Sequence, residues 1–231
     1  PLDKVRLVTR TTENTSETGP AASSRITYMV GGAMINGINE MLGAMKEAGT
    51  KSYEGLKKAG KETRYVGKKT TRVAELDPKT GQGAAYETQV HNIQMAEVEV
   101  NTETGEVKII RMTTSVDPGP VIHPINLEGQ LEGGMDQGVG YALREEYIHG
   151  ETKDWLTFKF PTFKTSFEME IIPPLETPRK KGALGSIGVG EMTMVSTAPA
   201  VINAIYDACG VWITHLPATP DKVKKALAGK Q

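Results

Sequence analysis

The sequence of 231 residues lacks several features that mark whole classes of protein. Its single cysteine, Cys209, excludes an internal disulfide framework and fits a reducing cytoplasm. No apolar run approaches the ~18 residues that a membrane-spanning helix needs, so we expect no membrane segment. Lys and Arg number 27 against 28 Asp and Glu, so no excess charge favours nucleic acid or a membrane as a partner. These features leave a cytoplasmic chain that is long enough for one large domain or two small ones.

Periodic apolar residues predict an α+β fold, with mixed β-sheets and packed helices. Helices are predicted at residues 30–45, 125–145, 194–208 and 220–228, and strands at residues 5–9, 97–110 (a hairpin), 155–160, 167–172 and 211–214. The eight Lys and Arg residues between positions 51 and 72 indicate a solvated helix and loop, because few aromatics accompany them. His91 has no second potential metal ligand in range, and we interpret it as structural.

Residues 185–193 read Gly-Ser-Ile-Gly-Val-Gly-Glu-Met-Thr. This stretch has glycine at positions 185, 188 and 190, and one carboxylate, Glu191, follows the last of them. Glycine permits unusual backbone angles and lets a ligand approach the chain closely. Apolar residues at helical spacing follow, so this loop delivers an acid to the start of a buried helix. The carboxylate either complements the helix dipole or belongs to a functional site.

Residues 19–25 form a second candidate loop, in which small residues, two hydroxyls and one guanidinium precede a helix. They are Gly19, Pro20, Ala21, Ala22, Ser23, Ser24 and Arg25. Backbone N–H groups, Ser hydroxyls and a guanidinium can share the oxygens of a phosphate. An ordinary Ser-capped helix start is the alternative interpretation.

The predicted helix at residues 125–145 contains five glycines, each of which costs up to ~1 kcal/mol relative to alanine. Gln130 and Gln137 project within about 20° of each other on the helical wheel, and the glycines flank them. This face is therefore approached closely, either by another helix or by a cofactor that the amides hold through hydrogen bonds.

Three stretches together resemble the molybdenum hydroxylases of the xanthine dehydrogenase and aldehyde oxidoreductase family. They are residues 19–25, the run Val-Ile-His-Pro-Ile-Asn-Leu-Glu-Gly-Gln at 121–130 continuing through Gln137, and Gly-Val-Gly-Glu at 188–191. Their order and spacing are similar to the C-terminal part of the large, molybdopterin-binding subunit, over essentially the whole chain. No single motif is decisive, whereas the ordered trio is specific.

The resemblance implies an enzyme that oxidises an aldehyde or an N-heterocycle, with water as the source of oxygen. Glu191 would be the base toward a Mo–OH group, since a Lewis-acidic metal acidifies its bound hydroxyl. Gln130 would bond the pterin end of the cofactor, and residues 19–25 would hold its phosphate or nucleotide part. Gly188, Val189 and Gly190 would complete the cofactor contacts. Bacterial relatives often carry the cytosine dinucleotide form of molybdopterin.

The family pattern also implies parts that this sequence does not contain. The N-terminal half of the large subunit has no counterpart here, and one cysteine cannot supply the four ligands of a [2Fe–2S] cluster. Because residue 1 is Pro1, we interpret residues 1–231 as an excised C-terminal domain or as one polypeptide of a split subunit. The expected partners are that N-terminal half, iron–sulfur and FAD modules, and a small-molecule substrate. The isolated chain is expected to be inactive; a catalytically silent assembly or binding domain with the same fold is the alternative.

Overall fold

The computed structural model describes residues 2–8, 11–71 and 73–229. In chain order its elements are α1 (Ile26–Glu47), α2 (Tyr53–Lys58), β1 (His91–Val100), β2 (Val107–Asp117), α3 (Pro124–Leu143), α4 (Trp155–Phe158), β3 (Glu168–Ile171), α5 (Met192–Cys209) and α6 (Pro220–Ala228). Short 3-10 turns lie at Leu2–Lys4, Thr12–Asn14 and Phe163–Thr165. None of the helices in the described part of the chain is long and apolar enough to cross a membrane.

A three-stranded sheet in the order β1-β2-β3 forms the base of the domain. β1 and β2 are antiparallel, with register from His91 opposite Asp117 to Val100 opposite Val107. β2 and β3 are parallel, so the sheet is mixed. The predicted hairpin and the predicted α+β class are both confirmed.

The core lies between this sheet and two helices, because α5 packs on β1 and α3 packs on α5. The side chains of Met112, Met135, Val201 and Ile205 are fully buried there. A β-carbon added at Gly134 or Gly138 of α3 would overlap the side chains of Thr193 and Thr197 on α5. At these two glycines the close neighbour of α3 is therefore another helix, α5, which was one of the two alternatives predicted from the sequence.

Polar side chains fix the first turns of α5 against the sheet. The Asn92 amide of β1 donates to the carbonyl of Met192 (3.3 Å) and to the hydroxyl of Ser196 (2.6 Å). Its oxygen accepts a hydrogen bond of 2.9 Å from Thr114 of β2. Because all three bonds are made by one amide, the start of α5 is held in a defined position over β1 and β2.

Three predicted strands are absent among the described residues. Residues 155–158 form the short helix α4 instead, because Asp154 and Thr157 close a capping box around this turn. Residues 211–214 follow the left-handed cap Gly210 and make no strand pairing in the described structure. Residues 5–8 are exposed and irregular, and position 9 lies outside the described residues. At residues 155–158 the capping box is the physical reason that no strand forms. At residues 211–214 and 5–8 no described strand lies alongside to pair with the chain.

We predict opposite effects of alanine at two glycines of α3. Gly138→Ala places a methyl group against Thr197 and should lower the free energy of unfolding by about 1–3 kcal/mol, the usual effect of overpacking. Gly133 faces open space, so Gly133→Ala should raise that free energy by about 0.5–1 kcal/mol through helix propensity. Urea unfolding of both variants measures the difference. Equal stability of the two variants would show that α3 does not pack on α5 in this way.

Candidate functional site

One cleft of about 550 Å³ is lined by three segments that are far apart in the sequence. They are the loop before α1 with the first residues of α1, the segment from Pro118 into α3, and residues 186–191 before α5. Its volume lies within the range of about 300–1,000 Å³ that is usual for small-molecule and cofactor sites. Nine predicted site residues line it: Ala21, Ala22, Ser24, Arg25, Gln130, Gly188, Val189, Gly190 and Glu191.

Three other predicted residues, Gly19, Pro20 and Ser23, belong to the first loop but do not line this cleft in the described structure. Arg25 donates from Nε to the carbonyl of Pro20 (3.1 Å) and from Nη2 to the carbonyl of Thr18 (3.0 Å). The guanidinium therefore braces its own loop with two of its five N–H groups. Phosphate binding by this loop stays a prediction.

The first loop and the glycine loop touch through their backbones. Ser23 and Ser24 have φ values of 56° and 50°, in the left-handed region that non-glycine residues rarely adopt. The carbonyl oxygen of Ser24 lies so close to Gly188 that a β-carbon there would overlap it. Glycine is thus needed at position 188 because another segment lies close to its backbone. From the sequence we expect a ligand in that place, whereas in the structure it is the loop that contains Ser24.

Ser24 and Glu191 form a reciprocal hydrogen-bonded pair across this contact. The backbone N–H of Glu191 donates to the Ser24 hydroxyl oxygen at 2.9 Å, and that hydroxyl lies 3.0 Å from Glu191 Oε2. Ser24 does not cap α1, whose N-cap residue is Arg25 without a side-chain cap bond. The alternative of a Ser-capped helix start is therefore wrong, because the hydroxyl is used at another site.

Glu191 is the N-cap residue of α5, one position before the first helical turn. Its side chain makes no capping bond to the helix and is exposed where it lines the cleft. It is the one carboxylate among the described residues that line this cleft. The loop thus delivers an acid to the start of a helix, as predicted, with the carboxylate available to a ligand in the cleft.

Gln130 connects α3 to the glycine loop. Its amide Nε2 donates a hydrogen bond of 2.7 Å to the carbonyl of Gly190, next to Glu191. Gln137 does not join it, because Gln137 lines a second cleft with Tyr141 and Trp212. Of the two amides that the helical wheel grouped together, only Gln130 is therefore part of the first cleft.

The sequence did not identify the wall of the cleft that follows β2. This wall follows Asp117, the last residue of β2, and includes Pro118, Pro120 and Val121. The carbonyl of Pro118 accepts a 3.0 Å bond from Ile187, which joins the wall to the glycine loop. The run Asp-Pro-Gly-Pro at positions 117–120 is a turn signal in the sequence, and turns and loops of this kind are common walls of functional sites.

Asp117 holds that wall in place from beneath. Its buried carboxylate accepts hydrogen bonds from the backbone N–H groups of Gly119 and Thr177, both at 3.2 Å, and pairs with Arg179 at 2.9 Å. Burial by itself raises the pKa of Asp117, but the bonds from Gly119 and Thr177 and the Arg179 charge outweigh it and hold that pKa below its ordinary value.

The arrangement suits a bulky group with polar edges and a negatively charged end. Backbone groups of residues 188–190 and the amide of Gln130 offer hydrogen bonds along one side of the cleft. Arg25 is a cation on the opposite loop, and the N-terminus of α5 adds a partial positive charge. These residues fit a pterin cofactor with a phosphate, whose flat ring system needs close backbone approach and paired hydrogen bonds.

Comparison with known proteins supports this fit. A family model described as the molybdopterin cofactor-binding domain matches residues 1–167. The aldehyde oxidoreductase of Megalodesulfovibrio gigas is 34% identical over 229 residues, covering 97% of this chain and 25% of that protein. The large subunit of nicotine 6-hydroxylase from Paenarthrobacter nicotinovorans is 36% identical over 140 residues, covering 57% of this chain and 17% of that protein. A probable xanthine dehydrogenase component of Bacillus subtilis is 34% identical over 141 residues, covering 58% of this chain and 18% of that protein.

A solved structure gives the same result for the fold. The crystal structure of the aldehyde oxidoreductase from Desulfovibrio desulfuricans matches this chain with a TM-score of 0.85 at 34% identity. The match covers 92% of this chain and 24% of that chain. This chain therefore spans about a quarter of the length of the aldehyde oxidoreductases that it matches.

Asp117 generates a prediction about pH. Because its pKa is lower in the folded than in the unfolded chain, its contribution to stability is present above the ordinary Asp pKa of about 3.9 and is lost as the pH falls through the folded value. Asp117→Asn should cost about 1–3 kcal/mol at pH 7 and remove this acid dependence. Urea unfolding between pH 7 and pH 3 measures both effects. Asp207→Asn, at an exposed position of α5, is the control; a parent-like acid dependence in Asp117→Asn would contradict the assignment.

Proposed function

The chain belongs to the family of molybdopterin cofactor-binding domains, and from that membership we propose that residues 1–231 form the C-terminal cofactor-binding domain of a molybdenum hydroxylase subunit. The proposed reaction is the oxidation of an aldehyde or an N-heterocycle, with water as the source of the oxygen. The observation that carries the proposal is the cleft in which Glu191, Gln130 and the Ser24 loop meet. Its lining combines a single carboxylate with the backbone and amide groups that a pterin needs.

When bound, a molybdenum cofactor would supply the two-electron redox chemistry of the reaction. We assign the contacts with its pterin end to Gln130 and to the backbone of Gly188, Val189 and Gly190. The contacts with its phosphate or nucleotide end are assigned to residues 19–25, in which Arg25 has N–H groups beyond the two that brace the loop. The cytosine dinucleotide form is the proposed cofactor.

Glu191 is the proposed general base. An oxygen derived from water must lose a proton before it bonds to the substrate, and a carboxylate exposed in the cleft can accept that proton. The position of this carboxylate at the N-cap of α5 is fixed by the Ser24 pair and, through Met192, by Asn92. A general base needs such a fixed position, because proton transfer requires hydrogen-bond distance to the reacting atom.

The relatives are about four times as long as this chain, which supports further domains beside it. We propose that the N-terminal half of the subunit completes the cofactor pocket, that iron–sulfur and FAD modules carry the electrons away, and that the isolated chain has no turnover. Three apolar side chains on α1, Met34, Ile38 and Leu42, are about half exposed, which supports a further domain that covers this helix. The single Cys209 supports a cytoplasmic location.

One test of the proposed function concerns the base. In the complete enzyme, Glu191→Gln should keep the fold and the molybdenum content but lower the rate of the chemical step by about 10²–10⁴-fold. Single-turnover reduction of the loaded enzyme by benzaldehyde, or by hypoxanthine as an N-heterocycle, measures this step apart from product release.

Glu151→Gln is the matched control, since Glu151 is exposed and remote from the cleft lining. If Glu191→Gln with full molybdenum content is reduced within about threefold of the parent rate, Glu191 is not the base. If the complete parent enzyme contains no molybdenum and oxidises neither compound, the alternative of a silent assembly domain is favoured.

Another test of the proposed function compares the side-chain amides of Gln130 and Gln137 on α3. Gln130→Ala should lower the molybdenum content of the purified complete enzyme, because it removes a proposed cofactor contact and frees the Gly190 carbonyl. The melting temperature should change little, since one exposed hydrogen bond contributes only about 0.5–1.5 kcal/mol. Gln137→Ala, which lies in the second cleft, should keep full metal content. Equal metal content in the two variants would contradict the role of Gln130.

A further inference from the structure

The hydroxyl of Ser24 has a fixed direction. A serine hydroxyl has one hydrogen to donate and two lone pairs that can accept. The backbone N–H of Glu191 can only donate, so its 2.9 Å bond occupies a lone pair of the Ser24 oxygen. The single hydrogen of that hydroxyl then points to Glu191 Oε2, which lies 3.0 Å away. The donor capacity of Ser24 is therefore used entirely by Glu191.

A phosphate oxygen accepts hydrogen bonds and offers none when it is ionised, so Ser24 has no hydrogen left for it. We propose that Ser24 is the positioning residue of Glu191, and that Glu191 Oε1 is the atom that accepts the proton in the reaction. This inference rests on the proposed function of Glu191 as the base. It withdraws the Ser24 hydroxyl alone from the phosphate contacts assigned above to residues 19–25.

The surroundings of Ser24 keep its oxygen in place. Its backbone has the rare φ of 50°, and its carbonyl is lodged against Gly188, where no side chain fits. Gly190 also leaves little room, since a β-carbon there would lie 3.3 Å from the Ser24 hydroxyl oxygen. The Ser24 residue thus lies against two glycines of the loop that carries Glu191, with its hydroxyl oxygen beside Gly190.

The same geometry separates the roles of the two carboxylate oxygens. The hydrogen that Ser24 donates already occupies one lone pair of Oε2. Oε1 has no described protein donor, so a new O–H bond forms there while Oε2 keeps its bond from Ser24. The carboxylate loses its negative charge in this step, and the proton donor gains the electron pair of the broken O–H bond.

The first test uses amide hydrogen exchange in the 231-residue chain, which requires no cofactor. Ser24→Ala should speed the exchange of the Glu191 amide by about fivefold or more, because its acceptor is lost. Ser23→Ala is the matched control, since Ser23 has a similar left-handed backbone (φ 56°) and no described bond to Glu191. Ser24→Cys, which keeps the side-chain size with a weak donor, serves if Ser24→Ala does not fold. Unchanged exchange at Glu191 in both Ser24 variants would overturn the inference.

The second test is a double-mutant cycle in the complete enzyme, read by single-turnover reduction with benzaldehyde and by molybdenum analysis. Ser24→Ala should lower the rate at saturating substrate by about 10- to 100-fold, with unchanged molybdenum content and unchanged substrate affinity. In the Glu191→Gln background, Ser24→Ala should lower the rate by no more than about twofold further, since Ser24 acts through Glu191.

The outcomes distinguish this inference from the proposed function. If Glu191→Gln alone leaves the rate unchanged, the proposed base is wrong and the positioning role falls with it. If Glu191→Gln is slow but Ser24→Ala is fast, only the positioning role is wrong. If Ser24→Ala lowers molybdenum content equally in both backgrounds, Ser24 contacts the cofactor and the inference is overturned.

Discussion

Close packing of α3 on α5 is the constraint on which the site depends. Gly134 and Gly138 have no side chains, so Thr193 and Thr197 of α5 can lie directly against the backbone of α3. Packing at this distance fixes the relative position of the two helices, because neither side has flexible atoms that could fill a larger gap. Gln130 lies one turn before the first of these contacts, and Glu191 lies just before α5. The helix contact therefore sets the separation of the two side chains that face the cleft.

A second backbone contact brings in the third segment. The Ser24 carbonyl lies against Gly188, and the Ser24 hydroxyl bonds both the N–H and the carboxylate of Glu191. The left-handed backbone at Ser23 and Ser24 costs of order 1–3 kcal/mol per residue. Backbone strain of this kind persists where surrounding contacts over-determine it, and the glycine loop provides those contacts. Two of the four described non-glycine residues with positive φ thus lie in the first loop, and the other two are Lys159 and Leu184.

The sequence predicted the elements whose evidence is local and failed where the evidence is distant. Apolar periodicity located α1, α3, α5 and α6 to within a few residues. The apolar stripes of α3, α5 and α6 face the core, whereas that of α1 is about half exposed. The strand predicted at 155–160 was wrong because an Asp154 capping box outweighs the apolar run. Residues 19–25 and Glu191 were each identified as candidates, yet the Ser24–Glu191 bond joins positions 167 residues apart, and no periodicity reports such a contact. The family resemblance implied that these segments belong to one site. The direction of the Ser24 hydroxyl follows only from the hydrogen bonds of the structure.

The described contacts that hold Glu191 come from three elements of this chain, and they concern the position of the proposed base rather than the choice of substrate. Ser24 holds the side chain from the first loop, and Asn92 holds the next residue, Met192, from β1. Gln130 holds the preceding carbonyl, that of Gly190. Three elements of this chain thus fix three consecutive residues, 190 to 192. These contacts would let the proposed base keep its position beside different substrate-side residues.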